Sequence, residues 1–374
     1  MKAFDVAIAG AGLIGATIGW ELARAGLRVG IFDAGEPGKE ASWAGAGILS
    51  PAPENSAMLP LVALGQASLA MYPEFVAQVE EASGQSVGYR AKGTLETFSS
   101  RHAIEELSTV VALHHGLGLK AEALSGDDAR SLEPAISEDV AAAVLRAEEA
   151  SVDNRALTAA VLAAARRAGA EIFSGSAVRG IRREGNCCAG LSLAKEEIIS
   201  QWTVIAAGCF SGGIDGVSEF APVRPAKGQM VCLRGDGSRG DGVKLERVLW
   251  AENVYLVPRN DSRILAGATV EYLDFDKTPT AGGLAKLVTA AIDVVPALAN
   301  ATIDEHWAGL RPDTPDHLPI LGPTGIDGLV IAAGHFRSGI LLAPITGRLV
   351  LEWITLGSVS MDWERFRPGR FGGN

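Results

Sequence analysis

The segment that most restricts this chain lies at residues 5–33. It reads Asp5-Val-Ala-Ile-Ala, then Gly10-Ala-Gly12-Leu-Ile-Gly15, an amphipathic helix, and Leu27-Arg-Val-Gly-Ile-Phe-Asp33. That is a strand, a tight glycine turn, a helix, and a second strand ending in an acid. Each part has its own task in gripping a dinucleotide. Gly10 permits the sharp turn off the strand, Gly12 lets a pyrophosphate approach the backbone, and Gly15 lets the helix pack close to the sheet. The helix N-terminus offers free N–H groups and a positive dipole end to phosphates. Asp33 sits where a carboxylate accepts hydrogen bonds from ribose hydroxyls, and its charge would repel a 2′-phosphate.

At 374 residues with 48% hydrophobic content, the chain has material for two domains, or for one α/β body with an insertion. The formal net charge is −11 and no basic run stands out, which argues against nucleic acid as a partner. Cys187, Cys188, Cys209 and Cys232 show no CxxC spacing and read as reduced thiols of a cytoplasmic protein. The first strand begins almost at Met1, leaving no room for a signal peptide. No apolar run reaches membrane length. The longest, residues 339–357, contains Pro344, Arg348 and Glu352 and reads as a helix on a sheet.

Residues 35–56 are rich in small residues (Glu40-Ala-Ser-Trp-Ala-Gly-Ala-Gly47), which suits a backbone lying against a flat ligand. The pattern predicts helices over 61–82, 103–115, a short capped one at 125–134, 156–168 with Asp153 as N-cap, and 283–294. It predicts strands over 93–98, 170–173, 202–208 and 328–334, and an antiparallel group between 223 and 268. A final helix is expected to start near Ser338-Gly339. The dinucleotide half thus occurs at the start, middle and end of the chain, and the cleft between halves is the expected ligand site.

Together, several segments resemble the FAD-dependent amine oxidoreductases of the D-amino-acid oxidase type. They are the glycine turn, Val152-Asp153, Val204-Ile-Ala-Ala-Gly208, Arg224-Pro-Ala-Lys-Gly-Gln229, Gly309-Leu-Arg-Pro312 and Gly334-His-Phe-Arg-Ser-Gly-Ile-Leu-Leu-Ala-Pro344. The last two point closer, to the glycine oxidases of thiamine biosynthesis. The resemblance implies an α/β fold: a discontinuous, Rossmann-like FAD domain of glutathione-reductase type (1–84, 148–220 and 311–374). An α+β substrate domain on a mostly antiparallel sheet (85–147 and 221–310) completes it. It also implies noncovalent FAD and a homotetramer. A small amino acid, a primary or secondary amine, would be oxidised to an imine, and O2 would reoxidise the flavin to give H2O2.

Hydride transfer from a substrate α-carbon needs orientation more than acid–base help, because the flavin carries the electronic burden. A planar guanidinium binds a substrate carboxylate with two parallel bonds. By resemblance, Arg311 is that ligand, Arg337 sits beside substrate and flavin, and Tyr255 reaches the carboxylate or a bridging water. Where the family pattern has a second tyrosine, this chain has Trp250, which removes a hydroxyl and adds bulk. The cofactor positions carried over are Gly10, Gly12, Leu13, Ile14, Gly15, Asp33, Ala34, Ala41, Ser42, Ala46, Gly47 and Ile48. Val178 is expected to end the strand after the Asp153 helix and to meet the adenine. His335, Phe336, Arg337, Ser338, Gly339, Ile340 and Leu341 are expected to contact the flavin. No metal is expected: His114, His115, His306 and His317 show no ligand spacing. The residues leave open a D-amino-acid or sarcosine-type dehydrogenase with another electron acceptor, the FAD domain of a tRNA-modifying enzyme, or a non-catalytic FAD module.

Overall fold

The computed structural model describes residues 2–99, 101–235 and 242–371. It holds two eight-stranded sheets and a two-stranded ribbon among the described residues. In the first sheet the strand Lys2–Ala9 is central. It runs parallel to Val29–Phe32 on one side and to Glu197–Ile205 on the other. Glu171–Phe173 extends one edge, and Leu329–Ala333 with Ile320–Pro323 the other. Strand order therefore reverses at Lys2–Ala9, and a ligand crevice forms beyond the carboxyl ends of strands at such a point. The glycine turn sits there. Val6, Ala7 and Ile8 are fully buried, as expected for a strand covered on both faces. Helix Leu13–Arg24 packs against helices Asn154–Arg167 and Ala343–Leu356.

The second sheet runs Thr302–Asp313, Arg224–Arg234, Arg263–Gly267, Val254–Pro258, Val248–Ala251, Thr94–Phe98, Ala142–Arg146 and Glu122–Ser125. All neighbours are antiparallel except Val248–Ala251 and Thr94–Phe98, which run parallel. Alternation divides its two faces. Val231, Leu233, Leu256 and Ile264 join Leu287 and Ala291 of helix Ala281–Val294 in one core. Met230, Cys232, Val257, Leu265, Trp250 and Tyr255 turn the other way, toward residues 43–48. This alternation aims Trp250 and Tyr255 at the first sheet.

Three local expectations change. The last helix begins at Ala343, not near Gly339, and residues 339–342 are turns. Pro344 explains this: without an N–H it fits only a first helical turn. Val178 does not end the strand after the Asp153 helix. That strand is Glu171–Phe173, a turn at Gly175 (φ +63°) follows, and Val178 opens Val178–Glu184. The helix expected over 103–115, with Gly116 as its stop, runs over Arg101–Gly116 and includes that glycine as its last residue. Strand Thr302–Asp313 carries no clear alternation. It lies at the sheet edge, where charged residues are tolerated.

Candidate active site

A cavity of about 1780 Å³ lies between the two sheets. It exceeds the size usual for a small-ligand site and has room for a dinucleotide and a substrate. It starts at the glycine turn. Gly10 has φ +104°, and an added Cβ would overlap the Ala206 carbonyl. Gly12 is open there: a Cβ would approach only Ser42 Oγ, at 3.2 Å. Gly15 does not line the cavity but packs under it, against the Gly10 carbonyl. Two N–H groups of the turn are already engaged. Asp33 accepts from Ala11 N–H (2.7 Å) and from Gly35 N–H (2.9 Å), and Ser42 Oγ accepts from Leu13 N–H (2.9 Å). Asp33 therefore braces the turn as well as facing the cavity.

The small-residue segment forms one wall through Ala41, Ser42, Ala46, Gly47 and Ile48. Its carbonyls face away from the cavity toward a row of donors. Asn154 Nδ2 reaches the Ser42 carbonyl (2.8 Å), Arg155 Nε that of Trp43 (3.2 Å), Trp307 Nε1 that of Ala44 (3.0 Å), and Arg259 Nη2 that of Ala46 (2.8 Å). Burial pulls Arg259 down to about 10. Gly47 (φ +75°) lies so close to the Val152 carbonyl that a Cβ would overlap it. None of these four donors was marked by a local motif, because they come from one helix and from distant parts of the second sheet.

Opposite lies the turn-rich loop that precedes the last helix. His335, Phe336, Arg337, Ser338, Gly339, Ile340 and Leu341 all line the cavity, as do Leu13, Ile14, Ala34 and Val178. Phe336 has φ +46°, held by its N–H bond to the Pro312 carbonyl (2.9 Å). Tyr72 donates to the Ile340 carbonyl and Ser68 to that of Leu341 (2.6 Å). His335 is buried, faces Thr346 Oγ1 at 3.2 Å, and is pushed down to about 3 by burial. It is a neutral side chain, not a proton carrier.

Arg311 and Arg337 reach the same cavity but in different states. Arg337 is paired with Glu54 and lies over Phe336; burial lowers its pKa. Arg311 gives one Nη1–H to the Thr269 carbonyl (3.1 Å). Among the described residues, no carboxylate pairs with it. Apart from that carbonyl and a side-chain contact with Tyr255, its donors are left for a ligand. Tyr255 stands beside it, its hydroxyl 3.2 Å from the Met230 sulfur. Burial pushes the phenol pKa up and the Arg311 charge pulls it back. Trp250 packs edge-on against Tyr255, with ring centroids 5.3 Å apart. Among the described residues, no cluster of metal-ligating side chains occurs.

A glycine cradle, a cavity-facing acid, a flat small-residue wall and a guanidinium with no carboxylate partner thus share one cleft. The "FAD dependent oxidoreductase" family matches residues 5–353. The chain belongs to that family. It is 32% identical to a glycine oxidase of Bacillus licheniformis, over 99% of the chain and 98% of the relative. It is 35% identical to a bifunctional protein ThiO/ThiG of Synechocystis, covering 98% of the chain but 54% of that protein. The solved glycine oxidase of Geobacillus kaustophilus superposes with a TM-score of 0.92 at 33% identity, covering 99% of each chain. As in the family, the cofactor is FAD, and the cavity fits it in volume and in its glycine-opened backbone.

Proposed function

We propose that the protein oxidises glycine or another small amino acid, a primary or secondary amine, to the imine, with O2 reduced to H2O2. The observation that carries this reading is Arg311: a cation with open donors, in the same cavity as the glycine turn. Bound FAD would supply a hydride acceptor whose electron pair O2 can take up. Arg311 takes the substrate carboxylate in its fork. Because Glu54 neutralises Arg337, carboxylate capture falls to Arg311, and Arg337 shapes the cofactor loop. Tyr255 supplies a hydroxyl beside the carboxylate, and Trp250 limits the side chain the pocket admits. The cofactor part comprises 1–84, 148–220 and 311–374, and the substrate part 85–147 and 221–310. The cofactor contacts are the cavity-lining positions named above.

The glycine oxidase relatives support a role for the imine in thiazole formation for thiamine. The resemblance also supports a cytoplasmic homotetramer, which light scattering tests. No described helix is long and apolar enough to cross a membrane. The deciding experiment is anaerobic: the yellow protein is mixed with glycine, sarcosine, D-alanine or D-proline, and air is then admitted. Bleaching by at least one amine and recovery with peroxide are expected. No bleaching with any of the four would refute the reading.

A further inference from the structure

The segment Arg224-Pro-Ala-Lys-Gly-Gln229 has no task in this scheme, yet it contains a lysine with 0% exposure, Lys227. A buried ammonium is costly unless it is paired. Its Nζ lies 3.2 Å from Asp276 and 4.0 Å from Glu271. Its backbone exchanges two hydrogen bonds with Glu271, at 2.8 and 2.9 Å. Gln229 continues the pattern. Its side-chain amide donates to Glu271 (2.7 Å) and Thr280 (3.1 Å), and its backbone N–H donates to Thr269 Oγ1 (3.0 Å). The Thr269 hydroxyl in turn donates to Glu271 at 2.5 Å. Residues 269–280 are thereby strapped to the strand Arg224–Arg234.

Both ends of this arrangement meet Arg311. The Thr269 carbonyl accepts its Nη1–H. Gly228, between the two strapping residues, lies so close that an added Cβ would overlap the guanidinium. We propose that Gly228, with the strap held by Lys227, Gln229, Thr269 and Glu271, is the seat that orients Arg311 toward a substrate carboxylate. The inference rests on the carboxylate role proposed for Arg311. Gly228 gives the flat floor, and the Thr269 carbonyl fixes one edge of the fork, so the remaining donors keep one direction. These are positioning residues: none needs to touch the substrate.

The test uses the FAD-loaded enzyme and two probes, glycine turnover and acetate binding read from the flavin spectrum. In Gly228→Ala the group that must yield is the far end of a side chain, so the displacement falls on the guanidinium. KM for glycine and Kd for acetate should rise about 10- to 100-fold, the range for losing one charge-assisted bond. Thr269→Val should act in the same direction, and Thr269→Ser should restore both values. FAD affinity of the apoprotein and Tm should stay close to wild type in Thr269→Ser and Gly228→Ala. If Arg311→Ala weakens acetate while Gly228→Ala and Thr269→Val do not, the seat is refuted and the carboxylate role stands. If Arg311→Ala leaves acetate binding unchanged, the carboxylate role itself fails. If Gly228→Ala does not fold, the Thr269 pair decides. Equal losses in Thr269→Val and Thr269→Ser would overturn the proposal.

Discussion

Replacing Asp33 by alanine separates two tasks that its carboxylate performs at once. One is the cofactor contact proposed for it; the other is to hold the glycine turn through Ala11 N–H, its second bond, to Gly35 N–H, lying on its own loop. A hydrogen bond to a charged acceptor contributes about 1.5–3 kcal/mol. Asp33 is half-buried, so solvent screening places its bond to the turn at the low end. Losing the Ala11 bond costs about 1.5 kcal/mol in the shaped turn, equivalent to roughly tenfold weaker FAD binding. Asp33→Asn keeps one carbonyl acceptor and should lose about half of that free energy, or roughly three- to fourfold. The assay is titration of apoprotein with FAD, followed by flavin fluorescence, with Tm measured on the same samples. The order expected is wild type, then Asn, then Ala. An alanine variant with FAD affinity within about threefold of wild type would refute the bracing argument.

Gly10→Ala meets the Ala206 carbonyl with no flexible group to yield, at a φ of +104°. The strain is about 1–3 kcal/mol, and the purified protein should carry little flavin, measured as absorbance per protein. Tyr72→Phe removes the bond to the Ile340 carbonyl and should weaken FAD binding by about 0.5–1.5 kcal/mol; an unchanged Kd would count against the loop's dependence on this anchor. His335 titrates at about 3 when folded, below the ordinary unfolded value, so the unfolded chain takes up its proton first as pH falls. Its contribution is complete above that unfolded value of about 6.5 and declines below it, by about 1.4 kcal/mol between pH 7.5 and 5.5. Urea unfolding at both pH values should show that loss in wild type and not in His335→Gln, and parallel curves would contradict the burial effect.

The central βαβ unit was legible because its signals are local. Apolar runs, glycines at Gly10 and Gly12, and an acid closing Phe32-Asp33 all fall within one short segment. Asp153 was legible as an N-cap for the same reason: its side chain accepts from Arg155 and Ala156 N–H, two and three residues on. The start of the last helix was misplaced because glycine and serine near 338 resemble a cap, whereas Pro344 sets the boundary. Strand Thr302–Asp313 escaped notice because an edge strand need not alternate.

By itself, then, the sequence determined that this chain grips a dinucleotide, and its long terminal motifs placed it among FAD-dependent amine oxidoreductases. Local chemistry suffices for that, since turns, caps and periodicity depend on neighbours in the chain. Only the tertiary structure decided which arginine is free. Glu54 neutralises Arg337 from a distant loop, while Arg311 rests against Gly228 and Thr269 with donors to spare. It also decided that Asp33 braces the turn, and that Asn154, Arg155, Arg259 and Trp307 hold the small-residue wall of the cavity. Those pairings join residues tens to hundreds of positions apart, and a polar group's free or engaged state is set by what folding brings beside it.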